Sequence, residues 1–313
     1  MRPIRLRLPA TSANLGPGFD TAGLAMALYL TIDAVAPQTP GAPVFAIEAT
    51  GRNADRCART GNNMILDTYR DLLDRAGRPL APLDLRIDNQ IPLGMGCGSS
   101  AAARLAGVLL ANHFGGLGWD RQACMDEAAR REGHPDNVAA CVLGAMTVSA
   151  ISDGSVVAAT CAQGLSWKLL LAFPSASLST EKARALLPYH YSRADAVMNV
   201  QRTALLVAAF ALGRGDLLRV AMQDRIHQPY RMDACPLLGR LLPLAGGPGI
   251  LGVALSGAGP GVLLVLETAA AVPEIAARIR RAAEDPELEI IETAIGGGAS
   301  QSFPEALSSG ASE

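Results

Sequence analysis

Residues 92–103, Pro-Leu-Gly-Met-Gly-Cys-Gly-Ser-Ser-Ala-Ala-Ala, constrain this chain more than any other stretch. Glycines at alternate positions 94, 96 and 98 break regular structure, yet Ala101–Asn112 directly after them has the small, apolar make-up of a buried helix. The chain therefore passes from a glycine loop into the N-terminus of a buried helix, whose free N–H groups and positive dipole end face whatever the loop encloses. Gly94, Gly96 and Gly98 permit positive φ and close backbone approach to a ligand, and Ser99 and Ser100 offer hydroxyls at the expected N-cap. A polyphosphate is the natural guest. Two common phosphate loops are excluded, because no Gly-Lys pair exists for GxxxxGK[ST] and GxGxxG spacing with an acidic residue about twenty positions on is missing. Lys168 and Lys182 are the only lysines, so a cation on phosphate must be arginine, metal or backbone dipole.

A chain of 313 residues, half of them hydrophobic, can build one large or two medium domains with well-buried cores, and two are expected. A net charge of −2 and 4% aromatic residues provide neither a basic stripe nor a stacking surface, which argues against nucleic acid and acidic membranes as partners. A small molecule is the expected ligand. Six cysteines without a CxxC pair read as small core residues of a reducing compartment, hence the cytoplasm. The charged N-terminus is interrupted by Asn14, Gly16, Pro17 and Asp20, unlike a signal peptide. The longest apolar stretch, Ile250–Leu266, holds four glycines and a proline and reads as strand, turn and strand, so no membrane segment is expected.

Alternation and helical spacing predict strands over 5–9, 24–35 and 44–49 in an antiparallel sheet, a helix over 62–75 and a strand over 84–89 before the glycine loop. A polar-faced helix over 121–131 follows, then the polar turn EGHPDN and a buried helix continuing into a strand over 138–150. The second half predicts a buried strand over 167–173, the polar turn SASLSTEKAR, helices over 195–212 and 216–226, a Gly-rich hairpin near Ser256, a helix over 269–283 and a strand over 288–292. This order suggests an α+β layer with helices packed on one sheet face. Residues 296–313 read as a flexible tail.

Four segments carry a resemblance over nearly the whole chain: PATSANLGPGFDTAGLAM (9–26), PLGMGCGSSAAA (92–103), EGHPDNVAACVLGAM (132–146) and GVALSGAGPGVLLVL (252–266). The sequence resembles the GHMP small-molecule kinase superfamily, and SANLGPGFD and EGHPDN, with LSTEKARALLP (178–188) and DRIHQPYR (224–231), narrow this to its homoserine kinase branch. The resemblance implies a two-domain α+β GHMP kinase fold. Its ATP-binding N-terminal domain, a ribosomal S5 domain 2-like α/β layer, would cover 1–165, and its ferredoxin-like C-terminal domain 166–295. It also implies ATP and Mg²⁺ as cofactors, L-homoserine as substrate, phosphorylation of its side-chain hydroxyl in threonine biosynthesis, and, by family habit, a homodimer. A kinase for another small hydroxy acid of the mevalonate type and a non-catalytic ligand-binding descendant are the alternatives.

By this resemblance Asp20 faces the substrate ammonium, Arg184 and Arg231 hold its carboxylate, and Asn14, His134 and Asn137 line the pocket around the hydroxyl and the γ-phosphate. Asn63 sits near the adenine. Pro92, Gly94, Gly96, Gly98, Ser99, Ser100 and Ala101 embrace the phosphates, and the Ser256–Pro260 turn packs beside them. Mevalonate kinase, a relative, carries Asp where Asn137 stands, and an amide has no useful basicity. The hydroxyl proton is therefore expected to pass to the phosphate, with Asp136 or Asp20 as fallback base. The family's metal-binding helix glutamate aligns first with Arg130. Asp126, Glu127 and Glu132 are the candidate carboxylates beside Ser100, and Arg130 contacting phosphate directly is the other possibility. No function attaches to Cys97 or Arg104, which stand where apolar residues are common.

Overall fold

A computed structural model describes residues 2–37, 44–175 and 180–304. The first sheet is built around β1 (Ile4–Asn14) and β2 (Gly18–Val35), which pair antiparallel along their whole length. Ile4, Leu6 and Leu8 point into the core while Arg5 and Arg7 face water, the alternation of a half-exposed strand. From Leu8 to Asn14 every residue is buried, because this end of β1 runs under helices towards the glycine loop. β4 (Leu83–Asn89) pairs antiparallel with β2, and β5 (Met146–Ser152) and β6 (Ser155–Cys161) extend the sheet from the other end of β2. β3 (Phe45–Gly51) pairs parallel with β4, which corrects the expected antiparallel arrangement of residues 44–49. The chain achieves this by crossing from β3 to β4 through α1 (Ala54–Cys57) and α2 (Met64–Arg75).

Three more helices complete this half: α3 (Ser99–Gly115), α4 (Arg121–Glu132) and α5 (Asp136–Leu143). α3 packs between α2 and α4, and α5 lies on β1, β2 and β5. α5 starts inside the EGHPDN segment, so Asp136 and Asn137 belong to its first turn.

The second sheet contains β7 (Lys168–Phe173), β8 (Ile250–Leu255), β9 (Val262–Leu266) and β10 (Glu289–Ala294), all antiparallel in the order β10-β7-β9-β8. Counted along the chain this is 4-1-3-2, the ferredoxin-like order. Between β7 and β8 lie α6 (Thr180–Ala185), α7 (Arg193–Leu212), α8 (Leu218–Ala221), α9 (Gln228–Arg231) and α10 (Pro236–Leu241), and α11 (Val272–Ala283) precedes β10. The expected helix over 216–226 is thus a 3₁₀ turn and one short helix, after which Asp224 folds its carboxylate back onto the backbone N–H groups of residues 226–228. Part of SASLSTEKAR, residues 176–179, lies outside the described residues.

β7 explains the apolar run WKLLLAF. Leu169 and Leu171 join a core continuous with Leu24, Leu105 and Val138 of the first sheet, whereas Leu170 joins Leu238, Val253 and Ile279 on the opposite face. A strand buried on both faces needs apolar residues at every position. α7 is long and apolar enough to cross a membrane by length and composition alone. Here it packs Leu206 and Phe210 into the core, and the Asn199 and Thr203 side chains donate to the Pro17 carbonyl at 2.7 and 2.9 Å.

The expected flexible tail is corrected over its first part. Gly296 exchanges hydrogen bonds with Ala25 and Ala145, Ala299 N–H donates to Cys141, and β11 (Ser300–Ser302) adds an edge strand to β1. Residues 305–313 lie outside the described residues.

Candidate active site

Between β4 and α3 the backbone takes positive φ at Gly94, Gly96 and Gly98. Gly98 is itself the N-cap of α3, at φ 67°, and a Cβ there would lie 1.9 Å from Thr11 Oγ1 and 3.0 Å from Asn137 Oδ1. Only glycine can bring the loop this close to β1 and α5. Ser99 and Ser100 are consequently inside the first turn, not at the N-cap, and make no capping bond. On its other side the loop is braced by Ser256, whose Oγ lies 2.8 Å from the Gly96 carbonyl and 2.9 Å from Ser12 Oγ. Thr11 N–H donates to the Cys97 carbonyl, so β1 and the turn after β8 grip the loop from both sides.

Two cavities meet at this loop and share Gly94, Ser99 and Ser100. The larger, about 550 Å³, is walled by Leu30, Ile87, Ile91 and Met64 with Asn62 and Asn63 at one side. Asn63 lines it but is occupied as the N-cap of α2: its Oδ1 accepts from Ile65 N–H at 3.0 Å, and its Nδ2 donates to the Arg59 carbonyl at 2.8 Å. Cys57, Arg56 and Arg59 complete that wall. Pro92 and Ala101 line neither cavity: both are buried, and Ala101 belongs to the core.

The smaller cavity, about 150 Å³, gathers Asn14, Asp20, His134, Asn137, Arg184 and Arg231 around the loop. Sequence places these residues up to 217 positions apart, from Asn14 to Arg231. The SANLGPGFD segment reaches the site through three non-glycine residues with positive φ, Asn14, Leu15 and Asp20. Such backbone persists only where the surroundings fix it. Asn14 supplies part of that: its Oδ1 accepts from Asp20 N–H at 3.1 Å and its Nδ2 donates to the Gly257 carbonyl at 3.0 Å. Asp20 and Arg184 form a two-pronged ion pair, with bonds of 2.5 and 3.1 Å. Arg231 is 1% exposed and donates to three neutral acceptors, the Ala183 and Gly257 carbonyls and His227 Nδ1. Burial, together with the Arg184 charge nearby, pushes its pKa below the usual arginine value. The guanidinium thus keeps its charge uncompensated by a bonded carboxylate and gains from an anionic ligand.

His134 Nδ1 lies 2.6 Å from Asp136 Oδ1, which also accepts from Asn137 N–H at 2.6 Å. Burial works against the charged imidazole, but the Asp136 hydrogen bond and the charges of Asp136, Glu132 and Asp20 outweigh it, and the His134 pKa is raised. Asn137 Oδ1 accepts from Thr11 Oγ1 at 2.7 Å.

Of the candidate metal carboxylates, Glu132 alone meets Ser100. One Glu132 oxygen accepts a short hydrogen bond from Ser100 Oγ, and the other accepts from Arg104 Nε at 2.7 Å. Asp126 is turned away, capping Val156 N–H at 2.7 Å and accepting from Ser155 Oγ at 3.1 Å. Glu127 is taken by Arg130 and Arg131, and Arg130 points to solvent, not to the loop. A hydroxyl and a carboxylate held together beside a phosphate loop are hard oxygen donors suited to Mg²⁺. Asp20, His134 and Asp136 form a second grouping, with ligand atoms within 4.8 Å of one another, but Asp20 is committed to Arg184 and His134 to Asp136.

Three residues of the site were given no role from the sequence: Phe19 and His227, which carried none, and Arg104, to which no function was attached. Phe19 puts its ring 5.4 Å from the Arg184 guanidinium and 5.6 Å from that of Arg231. Arg104 stands at helical spacing from Ser100 and so shares its face of α3. His227 precedes Arg231 by one helical turn in DRIHQPYR, a spacing that could have flagged the pair.

A family model described as GHMP kinases N terminal domain matches residues 63–145, and one described as GHMP kinases C terminal matches residues 206–285. The chain is 47% identical to a homoserine kinase from Solibacter usitatus over 84% of each chain. It is 39% identical to one from Synechocystis sp. over 90% of this chain and 92% of the relative. A solved homoserine kinase from Cytophaga hutchinsonii superposes with a TM-score of 0.78 at 22% identity, over 96% of this chain and 98% of the other. With relatives this similar over this much of the chain, it belongs to the homoserine kinase family of the GHMP kinases.

Proposed function

We propose that this protein transfers the γ-phosphoryl group of ATP to the side-chain hydroxyl of L-homoserine, giving O-phospho-L-homoserine and ADP for threonine biosynthesis. The single observation that carries the reading is the meeting, in one 150 Å³ cavity on the glycine loop, of the anion Asp20 and the cations Arg184 and Arg231. Homoserine is a neutral zwitterion. It can open the Asp20–Arg184 pair and bond its ammonium to Asp20 and its carboxylate to Arg184 and Arg231, so that every charged group has a partner of opposite sign. The adenosine fills the adjoining 550 Å³ cavity beside Asn63, and the phosphates lie along Gly94–Ser100 at the N-terminus of α3.

Mg²⁺ is assigned to Ser100 and Glu132. When bound, it neutralises charge on the phosphates, and nucleotide-bound Mg²⁺ needs few protein oxygens. The chain's own residues position and stabilise. His134 bonds Asp136 through Nδ1, which leaves Nε2 for the phosphoryl oxygens. Asn137 cannot accept a proton, Asp136 is spent on His134 and the α5 backbone, and Asp20 is held by ions. The hydroxyl oxygen therefore attacks phosphorus as the bond to the β-bridging oxygen breaks, and its proton passes to the transferred phosphoryl group. Asn137→Asp is expected to give no gain of kcat on the alkaline limb. A gain with a carboxylate pKa would restore a protein base. The same proposal carries a cytoplasmic homodimer that uses neither nucleic acid nor membrane, and light scattering of the purified protein tests the dimer.

The test is ADP release with MgATP and, side by side, L-homoserine, L-threonine, L-serine and mevalonate. Turnover with homoserine alone supports the reading. Turnover with mevalonate overturns the role of Asp20, and ATP binding without turnover overturns the enzyme itself.

A further inference from the structure

His227 is wholly buried, 0% exposed, and lies between the two anchors assigned above to the substrate's charged groups. Its Nε2 lies 2.7 Å from the carbonyl of Gly16, in the loop that presents Asp20, and its Nδ1 lies 3.1 Å from Arg231 Nη1. A carbonyl can only accept and a guanidinium can only donate, so these two partners select one state of the ring: neutral, with the proton on Nε2. Of the charged groups facing the ring, Arg231 opposes a second proton while Asp224 and Asp20 favour one, and burial outweighs them. Asp224, 3.6 Å from Nε2, already accepts from the N–H groups of residues 226, 227 and 228 at 2.8, 2.9 and 2.6 Å. Arg231 repels a proton, Asp20 attracts one from farther off, and burial, the largest influence, pushes the His227 pKa down. The ring also stacks on Phe19 with 5.3 Å between centroids, tying it to the same loop.

We propose that His227 is a positioning residue that aims Arg231 at the substrate carboxylate and sets its span from the ammonium site at Asp20. Three neutral acceptors hold the Arg231 guanidinium, and two of them are also bonded to the segment that presents Asp20: the Gly257 carbonyl through Asn14, and His227, the one side chain among the three, through Gly16. A neutral acceptor orients the guanidinium while leaving its full charge for the ligand, as a carboxylate in that place would not. Discrimination in favour of α-amino acids then arises from a fixed distance between two charged anchors. This inference rests on the proposed reading of Arg231 as the partner of the homoserine carboxylate.

Steady-state kinetics of His227→Phe and His227→Gln test it. Phenylalanine keeps the stack on Phe19 and loses both polar contacts, whereas glutamine can donate to Gly16 and accept from Arg231. The expected result for His227→Phe is a homoserine KM raised about tenfold or more, with kcat and the ATP KM little changed. His227→Gln should recover most of that loss. With 3-aminopropan-1-ol, homoserine without its carboxylate, His227→Phe should match the wild type. An equal loss on both substrates, an equal rise in the ATP KM, or no recovery by glutamine overturns the assignment. ¹⁵N NMR of the unmodified protein is independent of variant folding: an Nε2–H ring supports the proposal and an Nδ1–H ring overturns it. If the wild type does not phosphorylate homoserine, the reading of Arg231 fails and the inference falls with it. If homoserine turns over and His227→Phe equals the wild type, the His227 assignment alone fails.

Discussion

Ser100 and Glu132 are thirty-two positions apart, and only the packing of α3 on α4 makes them a pair. Glu132→Gln is expected to raise the Mg²⁺ requirement at least about tenfold, as loss of metal-site partners commonly does. Asp126→Asn should leave that requirement unchanged, keeping the tie to Val156 N–H through the amide oxygen and losing only the acceptor for Ser155 Oγ; a Mg²⁺ titration of initial rate reads both. His134 provides a pH test. Its folded pKa is raised above the usual 6.5, with burial outweighed by Asp136 and the neighbouring carboxylates. Its contribution to stability is therefore fully present below 6.5 and is lost as pH rises through the folded value. Thermal melts across pH 5.5–9 should show that decline in the wild type and a flatter profile in His134→Gln. An identical slope in both proteins would remove His134 as its source.

At the scale of elements, the glycine loop is held by contacts that leave no room for a side chain. Gly98→Ala forces a Cβ to 1.9 Å from Thr11 Oγ1 at a φ of 67°. We expect a loss of about 2 kcal/mol and reduced nucleotide affinity, because β1 and α5 must both retreat. Chemical denaturation and ATP titration check the two effects together. The start of α3 was visible in the sequence as a glycine run ahead of small apolar residues. Its cap was not, because the sequence offered two serines as the usual capping type, and the choice of Gly98 depends on the approach of Thr11 and Asn137. The same limit explains the misplaced helix over 216–226. Its apolar spacing was adequate, but Asp224 satisfies three backbone N–H groups in a turn, and tertiary contacts to Gly16 reward that turn over another helical one.

For the molecule as a whole, residues 296–302 close the first sheet. Deleting 296–313 removes the Gly296 bonds to Ala25 and Ala145, the Ala299 bond to Cys141, and the edge strand on β1. At about 1 kcal/mol net per hydrogen bond, a loss of roughly 3 kcal/mol or more is expected, read as a lower Tm. An unchanged melt would return this segment to the status of a tail. Glycine and serine composition suggested disorder here, yet glycine also lets backbone lie against backbone: a Cβ on Gly298 would meet the Val142 carbonyl at 2.4 Å.

Side-chain type and short-range spacing, which are properties of the chain, were enough to suggest the α+β class and a glycine loop opening a buried helix, whereas the residues expected to carry charge to the site came from the resemblance to a known family. Which carboxylate meets Ser100, which state the His227 ring adopts and why Arg231 keeps an unspent charge were settled by folding. Each depends on partners brought together across as many as 211 positions, as with His227 and Gly16, and no local pattern encodes that distance.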